Sequence, residues 1–116
     1  MGKPEGKIED YLLEKSKKIG GMCVKFTSPG TNGVPDRVII LPEHKTVFVE
    51  LKAPGEKLRA LQRITITKMQ SHGAIVFVAS TKSAVDVLCQ FLSENDYDFI
   101  CNRDNIPDII RPDTYF

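Results

Sequence analysis

Residues 47–52 read Val-Phe-Val-Glu-Leu-Lys, and this charged pair inside a run of hydrophobics constrains the chain more than any other stretch. Side chains of an extended strand alternate between faces, so Glu50 and Lys52 share one face while Val49 and Leu51 share the other. A carboxylate and an ammonium in such surroundings are costly to desolvate unless each finds a partner or a cation. A second carboxylate stands close by. Asp36 opens its own aliphatic run, Arg37-Val38-Ile39-Ile40-Leu41, and Pro42-Glu43-His44 reads as the turn of a hairpin into residues 45–52. With Leu41 opposite Lys45, Asp36 falls opposite Glu50, and opposite residues of an antiparallel pair share a face with Cβ atoms about 5 Å apart. A loop one residue shorter or longer would put the two acids on opposite faces.

Two carboxylates converging at the end of a hairpin, together with the main-chain carbonyl of Leu51, make an all-oxygen half-shell of the kind Mg2+ prefers, with Mn2+ as a substitute. Waters and a substrate phosphate would complete it, and Lys52 would stand beside the attacking water. In outline this is a site for phosphodiester hydrolysis: the cation stabilises the transition state and acidifies the water, and the ammonium orients the nucleophile or neutralises charge.

The residues also carry a family resemblance. Pro35-Asp36, then Glu50-Leu51-Lys52 with thirteen residues between the two acids, resembles the Pro-Asp, Asp/Glu-x-Lys signature of the restriction-endonuclease-like superfamily, PD-(D/E)XK. A longer ordered string resembles the viral replication and repair nuclease domain, VRR-NUC: Lys25-Phe26, Ser28-Pro29-Gly30, Gly33-Val34-Pro35-Asp36, Phe48 through Gly55, and Leu61-Gln62. The similarity covers about residues 5–94 and leaves out the last twenty or so. It implies a restriction-endonuclease-like core and a metal-dependent DNA endonuclease with Asp36, Glu50 and Lys52 at its centre. It also implies an acid on the opening helix, Glu9, near the metal, and a helix glutamine, Gln62, near the active-site lysine or the attacking water. Small stand-alone relatives are associated with cleavage of branched DNA as dimers, so branched DNA of the Holliday-junction kind and a second copy of the chain are the expected partners. A homodimer would present two sites to two strands of a four-way junction.

A length of 116 residues with 41% hydrophobics is one domain's worth of core. No apolar stretch is long enough to span a membrane, and no charged start leads into a hydrophobic segment, so the expectation is an intracellular, cytoplasmic protein. A phage-encoded protein acting in a host cell belongs to the same expectation. Cys23, Cys89 and Cys101 show no ligand spacing and read as reduced thiols. The net charge of +1 conceals an asymmetry, with +4 over residues 1–94 and −3 over residues 95–116. The mildly basic part permits nucleic-acid binding without arguing for it alone.

Along the chain, residues 7–19 form an amphipathic helix with Ile8, Tyr11, Leu12 and Ile19 near one face and Gly20-Gly21 as its stop. Glu9 borders that stripe, where a glutamate is ordinarily favoured by the helix dipole alone. Met22–Thr27 alternates as a short strand, and the turn-rich segment 28–33 reverses the chain beside Asp36. Residues 53–57 break the third strand. Residues 58–71 then read as a helix with Leu58, Leu61, Ile64 and Met69 inward and with Arg59, Gln62 and Arg63 off that face. His72 before Gly73 reads as a helix C-terminus. A buried strand over 74–79 and a last helix opened by Ser80-Thr81-Lys82-Ser83, carrying Val85, Val87, Leu88, Phe91 and Leu92, complete the order α-β-β-β-α-β-α. This predicts an α/β fold with a mixed four-stranded sheet covered on both faces over residues 1–94. Residues 95–116, with five aspartates and scattered Ile, Tyr and Phe, read as a tail that docks on the domain or a second subunit, or stays mobile.

Lys25, Ser28, Asn32, Arg37, Arg59 and Arg63 are the residues expected to meet a nucleic-acid backbone. Each has an ordinary alternative: Lys25 as a solvated strand lysine, Arg59 and Arg63 as a solvated helix edge, Gln62 as an exposed helix residue. A different class of protein, a non-catalytic nucleic-acid-binding or interaction module that keeps this fold, is opposed by the intact set Asp36, Glu50 and Lys52.

Overall fold

The first helix starts where a proline is best tolerated, in its first turn. In the computed structural model, which describes residues 4–43 and 45–94, helix α1 spans Pro4–Lys18, three residues longer at its start than the periodicity suggests. It stops at Gly20, whose φ of 84° only glycine adopts freely, and the Gly21 N–H returns to the Ser16 carbonyl at 2.9 Å to close the last turn. Ile8 and Leu12 are buried. So is Ser16, which the apolar pattern does not mark, because its hydroxyl donates to the Leu12 carbonyl at 2.7 Å and leaves no unsatisfied donor.

Strands β1 (Met22–Lys25), β2 (Arg37–Leu41), β3 (Lys45–Leu51) and β4 (Val76–Ala79) lie side by side in chain order. The first three pair antiparallel, and β3 and β4 pair parallel, so the sheet is mixed as expected. Strand β1 is shorter than expected, yet the Phe26 N–H still donates to the Asp36 carbonyl at 2.8 Å and carries the pairing one step on. In the β2–β3 hairpin Leu41 faces Lys45 and Arg37 faces Val49. The next step along that register sets Asp36 across from Glu50. The tight turn is made possible by Glu43 at φ 66°, while His44 lies outside the described residues.

Helix α2 (Ala60–Ser71) connects β3 to β4, and α3 (Lys82–Ser93) follows β4. Thr81 caps α3 by accepting from the Ala84 N–H at 3.1 Å. One sheet face, made by Ile39, Leu41, Val47, Val49, Leu51, Phe77 and Ala79, packs against Ile8 and Leu12 of α1 and Val85, Leu88 and Leu92 of α3. The other face is covered by α2 over β3 and β4, where Leu58, Ile66 and Met69 meet Phe48, Val76 and Val78. Cover on both faces is therefore incomplete. Met22, Val24 and Ile40, on the β1–β2 half of the α2 side, are 61%, 36% and 46% exposed, because a helix strung between β3 and β4 reaches no further across.

The largest departure from the periodicity concerns α2. Leu61 and Ile64, expected in the core, are 48% and 52% exposed, and Gln62, Thr65 and Ile66 are buried in their place, with Met69 partly buried. Gln62 and Thr65 are inward because each finds a hydrogen-bond partner there, which removes the desolvation cost that normally keeps such residues out. Leu58 is buried as expected but lies in the approach to the helix, which begins at Ala60. Among the described residues no helix is long and apolar enough to cross a membrane. The segment 95–116, Cys101 with it, lies outside them.

Candidate active site

Asp36 precedes β2, and Glu50 and Lys52 sit at the end of β3, on the sheet face that α2 covers. Glu50 is 2% exposed and Lys52 is 6% exposed, so an ion pair stands almost wholly out of water. The Lys52 ammonium lies 3.5 Å from Glu50 Oε2. The same oxygen accepts from Gln62 Nε2 at 2.7 Å. The orientation of that amide follows from its other end, since Gln62 Oε1 accepts the Arg59 N–H at 2.9 Å and the nitrogen is left to face the carboxylate. Glu50 Oε1 has no partner at all, and it is the buried side-chain polar atom without one among the described residues.

Burial pushes the Glu50 carboxyl up, and the negative charge of Asp36 pushes it the same way; Lys52 and the Gln62 amide oppose them, and the outcome is a pKa of about 7. With two donors on Oε2, a proton on Glu50 belongs on Oε1. A divalent cation could take that place instead. Asp36 Oδ2 accepts the Leu51 N–H at 3.1 Å, which ties the first carboxylate to the strand that carries the second. The Lys52 N–H points to β4, where it meets the Ala79 carbonyl at 3.0 Å, so the parity of the strand turns the Leu51 N–H and C=O to the opposite side, toward Asp36. Asp36 is thus tied to the strand that carries Glu50, with the Leu51 carbonyl turned to the same side, and the orphaned Oε1 is the observation that fits these oxygens to a hard cation. No group of three or more His, Cys, Asp and Glu is assembled for metal binding among the described residues.

Glu9 lies apart from this cluster. Its Oε2 accepts from Arg37 Nε at 3.0 Å. Strand alternation sends the Arg37 side chain, and that of Lys25 paired with it, to the face that α1 covers, away from Glu50 and Lys52. Of the residues expected to meet nucleic acid, Asn32 and Arg59 border the site. Arg63 is half-buried and donates to the Leu58 carbonyl at 3.3 Å, and the Ser28 carbonyl accepts the Thr31 N–H at 3.1 Å inside the loop 28–34.

That loop is held to α2 by contacts the sequence reading passed over. The Thr65 hydroxyl donates to the Asn32 carbonyl at 2.6 Å. Gly33, at φ 85°, approaches the Leu61 carbonyl so closely that a Cβ would stand 2.6 Å from its oxygen. The pattern that would have found Thr65 is 62, 65, 66, 69, a helical face that becomes visible once Gln62 is counted as inward.

The chain is similar to known proteins in sequence and in fold. The VRR-NUC domain model matches residues 25–83, which include every residue of the cluster. "Putative nuclease p44" of Acyrthosiphon pisum secondary endosymbiont phage 1 is 42% identical over 84 residues, 72% of this chain and 90% of that protein. A solved structure described as a VRR_NUC domain superposes with a TM-score of 0.72 at 31% identity, over 77% of this chain and 97% of the other. With the matching model spanning half of the chain, and with the sheet order and flanking helices shared with that solved fold, the chain belongs to the VRR-NUC family of nuclease domains.

Proposed function

We propose that this nuclease domain is a divalent-cation-dependent DNA endonuclease, using Mg2+ with Mn2+ as a substitute, and that it prefers branched DNA, cutting four-way junctions as a homodimer. The observation that carries the reading is the buried, unpartnered Glu50 Oε1 beside Asp36, Leu51 and Lys52. Asp36, Glu50 and the Leu51 carbonyl would hold the cation. When bound, it supplies charge neutralisation at the scissile phosphate and lowers the pKa of water. The protein's own groups do the rest. Gln62 holds Oε2 of Glu50 and leaves Oε1 without a protein donor, and its own orientation is set by the Arg59 N–H. Lys52, fixed beside Glu50, holds positive charge next to the attacking oxygen and stabilises charge that develops there.

Glu9 supports the site by holding Arg37 at the start of β2, one residue from Asp36. Arg59 and Asn32, which border the site, and Ser28 in the same loop as Asn32 are proposed to meet phosphates near the cleaved bond, and Arg63 with Lys25 and Arg37, the last two on the face that α1 covers, to meet them only farther along the substrate. The setting is the cytoplasm of a cell, including a phage-infected one. The test is a cleavage assay over linear, nicked, flapped and four-way DNA, with Mg2+, with Mn2+ and with excess chelator, run beside Glu50→Gln. Cleavage that needs the cation, is lost in the variant and is fastest on the junction is expected. Full activity in chelator would overturn the cation requirement, and equal rates on linear and four-way DNA would overturn the preference.

A further inference from the structure

Beside the carboxylates a cavity of about 320 Å3 opens between the loop 28–34 and the first turn of α2, lined by Asn32, Gly33, Arg59, Leu61 and Gln62. Gln62 is the wall it shares with the proposed cation site, since the same side chain reaches Glu50. Its sides are held in place: the Thr65–Asn32 hydrogen bond and the close approach of Gly33 to Leu61 leave the loop little freedom to collapse inward. The lining combines three chemistries. Leu61 offers a half-exposed apolar shelf at the rim of the cavity. Arg59 carries a guanidinium that no carboxylate engages among the described residues. Asn32 is held by its main-chain carbonyl, which accepts from Thr65, and its exposed side chain presents an amide with both a donor and an acceptor.

We propose that this cavity receives one unpaired nucleotide adjacent to the cleaved phosphodiester, an assignment that rests on the nuclease reading above and names the feature of the substrate that its site selects. The volume lies at the low end of the roughly 300–1,000 Å3 of ligand cavities, room for a single base and not for a base pair. A base inside a duplex must leave the stack to enter, at a cost that is least where it is already unpaired, as at a branch point. Leu61 packs on the face of the base, Arg59 meets its phosphate, and the Asn32 amide can bond the edge of any base, so the cavity selects for an unpaired position and not for a sequence.

The test uses the full chain and branched DNA carrying 2-aminopurine at each position flanking the cleaved bond in turn. With Asp36→Asn protein, which still binds, fluorescence should rise severalfold at one position and at no other, and the rise should vanish in Asp36→Asn/Leu61→Ala. In cleavage, an abasic residue at that position should raise KM about fivefold, the factor expected from withdrawing part of one leucine's apolar contact, and should do nothing further in Leu61→Ala. Circular dichroism keeps a misfolded variant from being misread, and Leu61 is exposed enough for its loss to leave the core intact. Unchanged fluorescence at every flanking position, or an abasic penalty that persists in Leu61→Ala, would overturn the cavity assignment and leave the nuclease reading standing. No cleavage of any DNA by the unaltered protein in Mg2+ or Mn2+ would overturn the nuclease reading itself.

Discussion

Two donors hold one oxygen of Glu50 and none holds the other, so the charge on this residue is tolerated in the fold and not favoured by it. Its pKa of about 7 in the folded protein lies above the ordinary 4.5, so the folded state binds the proton more tightly than the unfolded chain does. Stability from this group is therefore complete below about 4.5 and falls as the pH rises through about 7, by up to roughly 3 kcal/mol. Urea unfolding in chelator at pH 5 and pH 8 should show that loss, and Glu50→Gln should flatten it. A variant whose stability falls as steeply as the parent's would show that another group is responsible. In activity, Asp36→Asn and Glu50→Gln should each cost at least roughly a hundredfold in cleavage rate with the fold retained, because each leaves an incomplete oxygen shell. Lys52 contributes charge and no metal bond, so Lys52→Ala should still bind Mn2+ by calorimetry while cleaving poorly. Loss of Mn2+ binding there would reassign the lysine.

At the scale of elements, the contact between the loop 28–34 and α2 controls how the site is walled. Gly33→Ala would force a side chain both into a left-handed backbone and against the Leu61 carbonyl, and it should cost roughly 2–4 kcal/mol by thermal or urea unfolding. Gly55 makes the comparison: its φ of 84° is within a degree of that of Gly33, but nothing lies within 4 Å of an added Cβ, so Gly55→Ala should cost about 1 kcal/mol. Equal losses would mean that backbone strain alone, and not the approach to α2, accounts for the effect. Helix α2 also shows why an apolar period can mislead. Its inner face carries Gln62 and Thr65 because it looks onto a polar site, and two of its aliphatics are displaced outward as a result.

For the molecule as a whole, the proposed partners follow from scale. A domain of 13.0 kDa has little surface with which to hold a branched duplex, and a two-fold pair would double it and set two sites on two strands. Light scattering at micromolar concentration should report a dimer, and junction binding should weaken steeply as salt rises, since the expected contacts are to phosphates. A monomer that remains one on a four-way junction would rule the dimer out.

The register of the β2–β3 hairpin was legible in the sequence, because it is arithmetic: Leu41 opposite Lys45 and a period of two decide which side chains share a face, as far as Arg37 opposite Val49. The order of helices and strands was legible for the same reason, each element being short, periodic and bounded by glycine, proline or a capping threonine. The rotation of α2, the closure of the Glu9–Arg37 pair and the Thr65–Asn32 contact were not. The last two join residues 28 and 33 positions apart through side-chain hydrogen bonds and the first rests on one between Gln62 and Glu50, 12 apart on different elements, and no local pattern records which distant acceptor will satisfy a buried donor. Only the tertiary structure could decide that Gln62 turns inward, because the carboxylate that makes burial acceptable for it arrives from another strand.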